Sequence, residues 1–174
     1  GPRAIVRGPS RFLRVEGEEL AMTSRIERLR QGITTTMKGI EVAPWLRPIV
    51  PKASGYNVRV LDVFGREELL ARAKVDPGFT HIETSRLEDV DYVGSATEIA
   101  DLVPEAEHGT FDYIISSHNF EHLANPIKFL QGAGKVLREG GRLIMVVPDR
   151  RACFDFYRPH TRIGDWLDAY DEDR

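Results

Sequence analysis

From Glu18 to Ile33 the apolar residues Leu20, Ile26, Leu29 and Ile33 recur at helical spacings among Arg and Glu. This predicts an amphipathic helix, broken by Thr34-Thr35-Thr36. Beyond it the pattern changes to short apolar runs alternating with helical ones. Lys38–Ala43 reads as a first strand halted by Pro44, and Asn57–Asp62 as a second strand that ends on an acid. Gly65–Lys74 is built of good helix formers. Asp91–Gly94 reads as a weak third strand, Thr97–Leu102 as a short helix, and Phe111–Ser117 as a fourth, mostly apolar strand. Asn125–Arg138 is expected to be a helix with Ile127, Leu130 and Leu137 on one side, and Glu139-Gly140-Gly141 reads as its stop. Arg142–Val147 is the fifth and most β-like strand. Thr161 is placed to cap a last helix carrying Ile163, Trp166, Leu167 and Tyr170, before an acidic end, Asp171–Arg174, expected to fray.

Apolar strands alternating with helices imply an α/β fold, a doubly wound, mostly parallel sheet covered on both faces. In such sheets ligands bind beyond the carboxyl ends of the strands, where the strand order switches. Ala43-Pro44, Asp62-Val63, Gly94-Ser95 and Ser117-His118 are therefore expected to converge on one crevice. The expected division is an N-terminal segment, 1–38, a core, 39–149, and a tail with its helix, 150–174. No internal repeat or low-complexity linker interrupts it.

Composition narrows the classes. With 174 residues, 41% hydrophobic and 29% charged, the chain suits one globular domain with a sizeable core. The net charge of −3 is unevenly spread: residues 1–38 hold eight Lys/Arg against four Asp/Glu, and residues 39–174 sixteen against twenty-three. A mildly basic front on an acidic body is not the dense basic face that nucleic acids need, and Arg25, Arg28 and Arg30 read as a solvated helix face. No apolar run reaches the roughly 18 residues of a membrane span. The N-terminus carries no apolar stretch of signal-peptide length, and Met22 stands as an alternative natural start. A single cysteine, Cys153, allows neither an internal disulfide nor a cysteine-rich zinc site. A reducing, cytoplasmic setting is the expectation.

An acid at the end of a second strand can accept two hydrogen bonds from vicinal ribose hydroxyls, and Asp62 has that position. Position alone leaves it balanced against a loop-capping role. The order and spacing of further segments break the tie. They are Gly39-Ile40-Glu41-Val42-Ala43-Pro44, Val60-Leu61-Asp62, Asp91-Tyr92-Val93-Gly94-Ser95-Ala96, and Phe111-Asp112-Tyr113-Ile114-Ile115-Ser116-Ser117-His118. Glu121-His122-Leu123-Ala124-Asn125-Pro126 and Val136-Leu137-Arg138-Glu139-Gly140-Gly141-Arg142-Leu143 complete the string. Over Gly39–Asp149 the sequence resembles the class I S-adenosylmethionine-dependent methyltransferases, a Rossmann-like fold. One departure stands out. The family has a glycine-rich loop after its first acid, and here Ala43-Pro44-Trp45-Leu46-Arg47-Pro48 replaces it.

The resemblance implies S-adenosylmethionine as cofactor. Glu41 would hold its amino-acid end, directly or through water, with the Ala43-Pro44 backbone beside it; Asp62 would take the ribose, Val63 would pack on the adenine, and Ser95 and Ala96 would lie at the adenine edge. Ser117 and His118 would border the methyl group, with His118 or His122 as the base that deprotonates an acceptor. The tail from Asp149 to Thr161 resembles segments of methyltransferases from bacterial surface-saccharide clusters, which points to a saccharide or other small-molecule acceptor. Two other readings compete. One is a non-catalytic Rossmann-like binding or assembly domain. The other is a zinc hydrolase, since His118-Asn119-Phe120-Glu121-His122 matches H-x-x-E-H; that needs both histidines on one helix face, and no metal site is expected. The usual last two strands of the family's sheet have no counterpart here: either the sequence is a piece of a longer enzyme, or the Leu143–Val147 edge is covered by something else, and a homo-oligomer formed through that edge is the expectation.

Overall fold

The computed structural model describes residues 25–76, 83–153 and 157–173. The chain divides into two compact units, Gly1–Ile33 and Thr34–Arg174. In the first, residues 25–29 are helical and Gly32 takes φ 74°, so the described part of the predicted Glu18–Ile33 helix stops before Thr34. A left-handed residue cannot continue an α-helix. The start of that helix lies outside the described residues.

The second unit is built on five strands: β1 (Lys38–Val42), β2 (Asn57–Asp62), β3 (Tyr92–Val93), β4 (Phe111–Ser117) and β5 (Leu137–Val146). All pairings are parallel, in the order β3-β2-β1-β4-β5. The order reverses between β1 and β4, which is the switch point that the alternation of elements predicts. Among the described residues of this unit four α-helices accompany the sheet: α1 (Arg66–Val75), α2 (Ile99–Leu102), α3 (Pro126–Val136) and α4 (Ile163–Asp171).

The alternating side-chain directions of the strands explain the core. Ile40, Val42, Leu61 and Ile114 are buried with Ile99, Phe129, Ala133 and Val136 of α2 and α3. On the opposite pleat, Gly39 lies level with Val58 and Tyr113, and Glu41 with Val60 and Ile115. Gly39 is there for space: a Cβ on it would fall on Tyr113 Cζ, inside the ring that lies over β1. A second apolar cluster, Leu46, Leu69, Ala73 and Leu87, joins α1 to the loop after β1.

Several boundaries differ from expectation for identifiable reasons. Asn125 does not begin the helix but caps it, its side chain accepting from Lys128 N at 3.0 Å, and Pro126 takes the first helical position. The helix ends at Val136, and Glu139-Gly140-Gly141 belongs to β5 rather than to a helix stop. Phe111 pairs with Leu137 and Tyr113 with Arg142, so the chain bulges between these two points, with Gly140 at φ 71°. Gly141 permits the close approach, since a Cβ there would stand 3.1 Å from Phe111 O. At α4 the cap is Arg162, not Thr161: its N–H donates to Asp165 Oδ2 at 2.6 Å. The acidic end is tied rather than loose, Asp173 accepting from Lys128 Nζ at 2.7 Å. No helix among the described residues is long and apolar enough to cross a membrane.

Candidate functional site

The register brings the strand ends level. Val42 pairs with Leu61 on one side and Ser116 on the other, and Asp62 pairs with Val93. Ala43, Asp62-Val63, Gly94-Ser95 and Ser117-His118 therefore stand along one edge of the sheet, as the topology predicts. Ala43 N donates to Leu61 O at 2.8 Å, Gly94 N to Asp62 O at 2.8 Å, and His118 N to Val146 O at 2.8 Å. These bonds extend the ladders one residue past each strand.

Two of the turns are strained. Ala43 adopts φ 49° and His118 φ 52°, on adjacent strands β1 and β4, and Trp45 adopts φ 44°. Non-glycine residues pay roughly 1–2 kcal/mol for this region, and such residues concentrate at functional sites. The loop that lacks the expected glycines thus takes, at positions 43 and 45, the backbone conformation that glycine adopts freely.

What holds it there is Glu41. Its buried carboxylate accepts from Ile49 N at 2.6 Å and from Val50 N at 3.1 Å, folding the Ala43–Pro48 segment back over the end of β1. The far end is pinned by Lys52, whose N–H donates to Glu88 and whose Nζ donates to Asp89 O and to Asp91 Oδ2, the last at 2.6 Å. Trp45 Nε1 donates to Leu69 O of α1 at 3.3 Å. Sequence reasoning placed Glu41 at the site but did not anticipate that its oxygens serve the loop backbone. The signal was present: an acid inside an apolar strand needs buried donors, and the nearest chain is the loop itself.

Asp62 is 4% exposed at the end of β2. One oxygen accepts from Phe64 N at 3.3 Å. Burial pushes its carboxyl above the ordinary carboxylate range, and the backbone donors of Phe64 and Val63 offset this only in part. A carboxylate has about four acceptor sites, so this one retains acceptor capacity for a ligand's hydroxyls. The next residue, Val63, is 53% exposed, a large apolar side chain turned outward at the same strand end. Ser95 caps the helical turn Ala96–Glu98 by accepting from Thr97 N at 3.3 Å, and Ala96 is buried beneath it.

After β4, Ser116 Oγ accepts from Asn119 Nδ2 at 3.2 Å, and Phe120–His122 forms one 3₁₀ turn. Phe120 anchors this turn against Phe129 of α3 and, edge-on at 5.7 Å, Trp166 of α4. Glu121 Oε1 stands 3.5 Å from His118 Nδ1 and 4.0 Å from His122 Nε2. The H-x-x-E-H run is therefore not an α-helix presenting two histidines on one face. Among the described residues no group of three or more His, Cys, Asp or Glu side chains is arranged to hold a metal ion.

A separate cleft of about 480 Å³ lies among α2, α3 and α4, lined by Thr97, Asp101, Lys128, Gln131 and Tyr170 among others. None of the candidate catalytic or cofactor-binding residues read from the sequence lines it. One of its two lysines is engaged in ion pairs: Lys128 bridges Glu98 at 3.0 Å and Asp173 at 2.7 Å, which raises its pKa.

A parallel sheet with a buried acid at the end of β2, an exposed apolar residue beside it and a tight loop at the switch point is a doubly wound domain, and in such domains ligands bind at this edge. The family model of the methyltransferase domain matches residues 25–172, and the chain belongs to that family. No curated protein matches it. Among solved structures, a SAM-dependent methyltransferase from Aquifex aeolicus is 18% identical, over 71% of this chain and 61% of its own, with a TM-score of 0.43. A TehB-like SAM-dependent methyltransferase from Corynebacterium glutamicum is 19% identical over 91% of this chain and 82% of its own, TM-score 0.46. The precorrin 8w decarboxylase of Methanobacterium thermoautotrophicum is 16% identical over 87% and 70%, TM-score 0.46. The chain thus spans about three fifths of the Aquifex protein's length. The family implies S-adenosylmethionine as cofactor.

Proposed function

We propose that this chain transfers the methyl group of S-adenosylmethionine to a small-molecule or saccharide acceptor. The observation that carries the reading is Asp62, a buried carboxylate with spare acceptor capacity next to exposed Val63 at the switch-point edge. No other described feature explains why a chain would bury an acid at a strand end with so few donors.

The residues fit the cofactor in two halves. Asp62 would accept the ribose hydroxyls and Val63 would pack on the adenine, with Ser95 and Ala96 at its edge. At the other end, Glu41 acts through the loop: by holding Ile49 and Val50 it keeps the Ala43-Pro44 backbone turned at the end of β1, with Ala43 left-handed. S-adenosylmethionine supplies a methyl group already activated by its sulfonium. The protein's work is then to bring an acceptor into line, to keep water out and to take a proton from the acceptor where it has one. Ser117 and His118, at the end of β4, are the residues proposed to border the methyl group, and His118 or His122 to take that proton.

A binding or assembly domain without activity remains the second reading, favoured by Ala43 and Trp45, whose side chains stand where the family has glycine. Titration calorimetry separates the readings in part. S-adenosylhomocysteine should bind, and Asp62→Ala should weaken it by about 1.5–3 kcal/mol, the range for a lost charge-assisted hydrogen bond. A bound cofactor without turnover on any acceptor would favour the second reading.

A further inference from the structure

We infer that Glu121 is a positioning residue that fixes the tautomer of His118, and so makes His118 rather than His122 the proton acceptor of the site. The inference deepens the methyl-transfer reading and rests on it.

Four observations carry it. His118 directly follows β4 at the edge where the cofactor-binding strand ends meet, and its backbone is held in place by the 2.8 Å bond from its N–H to Val146 O. Its left-handed φ of 52° is a cost the surrounding structure sustains, which is expected where a side chain's direction matters. Glu121 Oε1 lies 3.5 Å from Nδ1 of His118, while Nε2 of His122 is further, at 4.0 Å. The carboxylate sits on the turn clamped by Phe120 against Phe129 and Trp166, and its side chain is 24% exposed against 49% for His118 and 73% for His122.

A carboxylate facing Nδ1 selects the neutral imidazole with its proton on Nδ1, because that tautomer alone donates to it. The lone pair then resides on Nε2. When an acceptor hydroxyl gives up its proton, the O–H bond breaks and an Nε2–H bond forms, leaving an imidazolium whose charge faces Glu121. Contacts of this kind are commonly long before substrates bind and shorten in the complex. His122 presents the opposite nitrogen to the same carboxylate and is the more solvated ring, so it does not acquire the same arrangement.

The test reads the tautomer directly and needs no acceptor. Two-bond ¹H–¹⁵N spectra of ¹⁵N-histidine-labelled protein, taken at about pH 9 where imidazoles are neutral, distinguish Nδ1–H from Nε2–H; His118→Gln and His122→Gln assign the signals. His118 should be protonated on Nδ1 in the wild type. It should revert to Nε2–H in Glu121→Ala, and keep Nδ1–H in Glu121→Gln, whose carbonyl still accepts. An Nε2–H signal in the wild type overturns the inference, and so does an Nδ1–H signal that survives Glu121→Ala. A merely structural Glu121 would leave the tautomer unmoved. S-adenosylhomocysteine affinity, measured alongside, should change less than twofold in Glu121→Ala. Failure of the wild type to bind it would instead strike the methyl-transfer reading, and the tautomer result separates the two.

Discussion

Glu41 and Ile49 are joined by a 2.6 Å hydrogen bond in which the loop's N–H donates to the carboxylate of the preceding strand. With the Val50 bond it makes one buried acid the organiser of the loop that closes β1. A charged acceptor with two backbone bonds is worth more than a neutral pair, and its loss leaves two buried donors without that acceptor. Glu41→Ala should therefore lower stability by about 3 kcal/mol, and Glu41→Gln by less, since one oxygen still accepts. Denaturant melts of the two variants check this; equal, small effects would contradict it.

Asp62 should trade stability for binding. Burial raises its pKa, so ionisation costs more in the folded chain than in the unfolded one. The stability it contributes is greatest in acid, below the unfolded value near 3.8, and is lost as pH rises through the folded-state pKa. Asp62→Asn, which can still accept from Phe64 N, should raise Tm at pH 7 by about 2–4 °C for each kcal/mol recovered. The gain should vanish on acidification while cofactor affinity falls. A variant less stable than wild type at neutral pH would contradict the account.

At the other end of β1 the packing is steric. Gly39→Ala must push its Cβ into the Tyr113 ring, and should cost about 3 kcal/mol by overpacking. The Tyr113 hydroxyl is buried without a hydrogen-bond partner among the described residues. Tyr113→Phe should then be neutral or stabilising by about 1 kcal/mol. A destabilised Phe variant would reveal a bond to the hydroxyl that the account omits.

The left-handed turn at Ala43 makes a further contrast. Ala43→Gly removes the strain at φ 49° and should leave stability unchanged or raise it by up to about 1 kcal/mol. Ala43→Val, β-branched, should destabilise by about 1–2 kcal/mol. Thermal melts should place the Val variant below wild type and the Gly variant at or above it; a Gly variant less stable than the Val variant would contradict this.

Among the described residues β5 pairs only with β4, and Met145 and Val147 are 38% and 54% exposed. An unpaired strand edge invites self-pairing. A homodimer at micromolar concentration is the expected result of light scattering, and a clean monomer across that range would contradict it.

Much of this was readable in the chain because the signals were local. The acid that ends Val60-Leu61-Asp62, the apolar run Phe111–Ser117 and the alternation of strand and helix give the sheet and its switch point, since each depends on periodicity alone. Non-local features were not readable in the same way. Gly140-Gly141 reads as a helix stop until β4 is beside it, because a bulge exists only relative to a partner strand. Thr161 is a good capping residue, yet Asp165 reaches back to Arg162 and moves the cap by one. Glu41 looks like a ligand from its position and is found holding Ile49 and Val50, a bond that spans the loop. In the sequence Glu121 has no role of its own, standing only in a family-like segment and in a metal-binding pattern; the 3₁₀ turn, which no periodicity announces in three residues, gives it a place between two histidines.

Calorimetric titration of the protein with S-adenosylhomocysteine tests the central claim most directly. The account predicts one-to-one binding in the micromolar range, about −7 to −8 kcal/mol, weakened at least tenfold in Asp62→Ala with the fold retained. Absence of binding to the intact protein at millimolar ligand, or full affinity in Asp62→Ala, would contradict it.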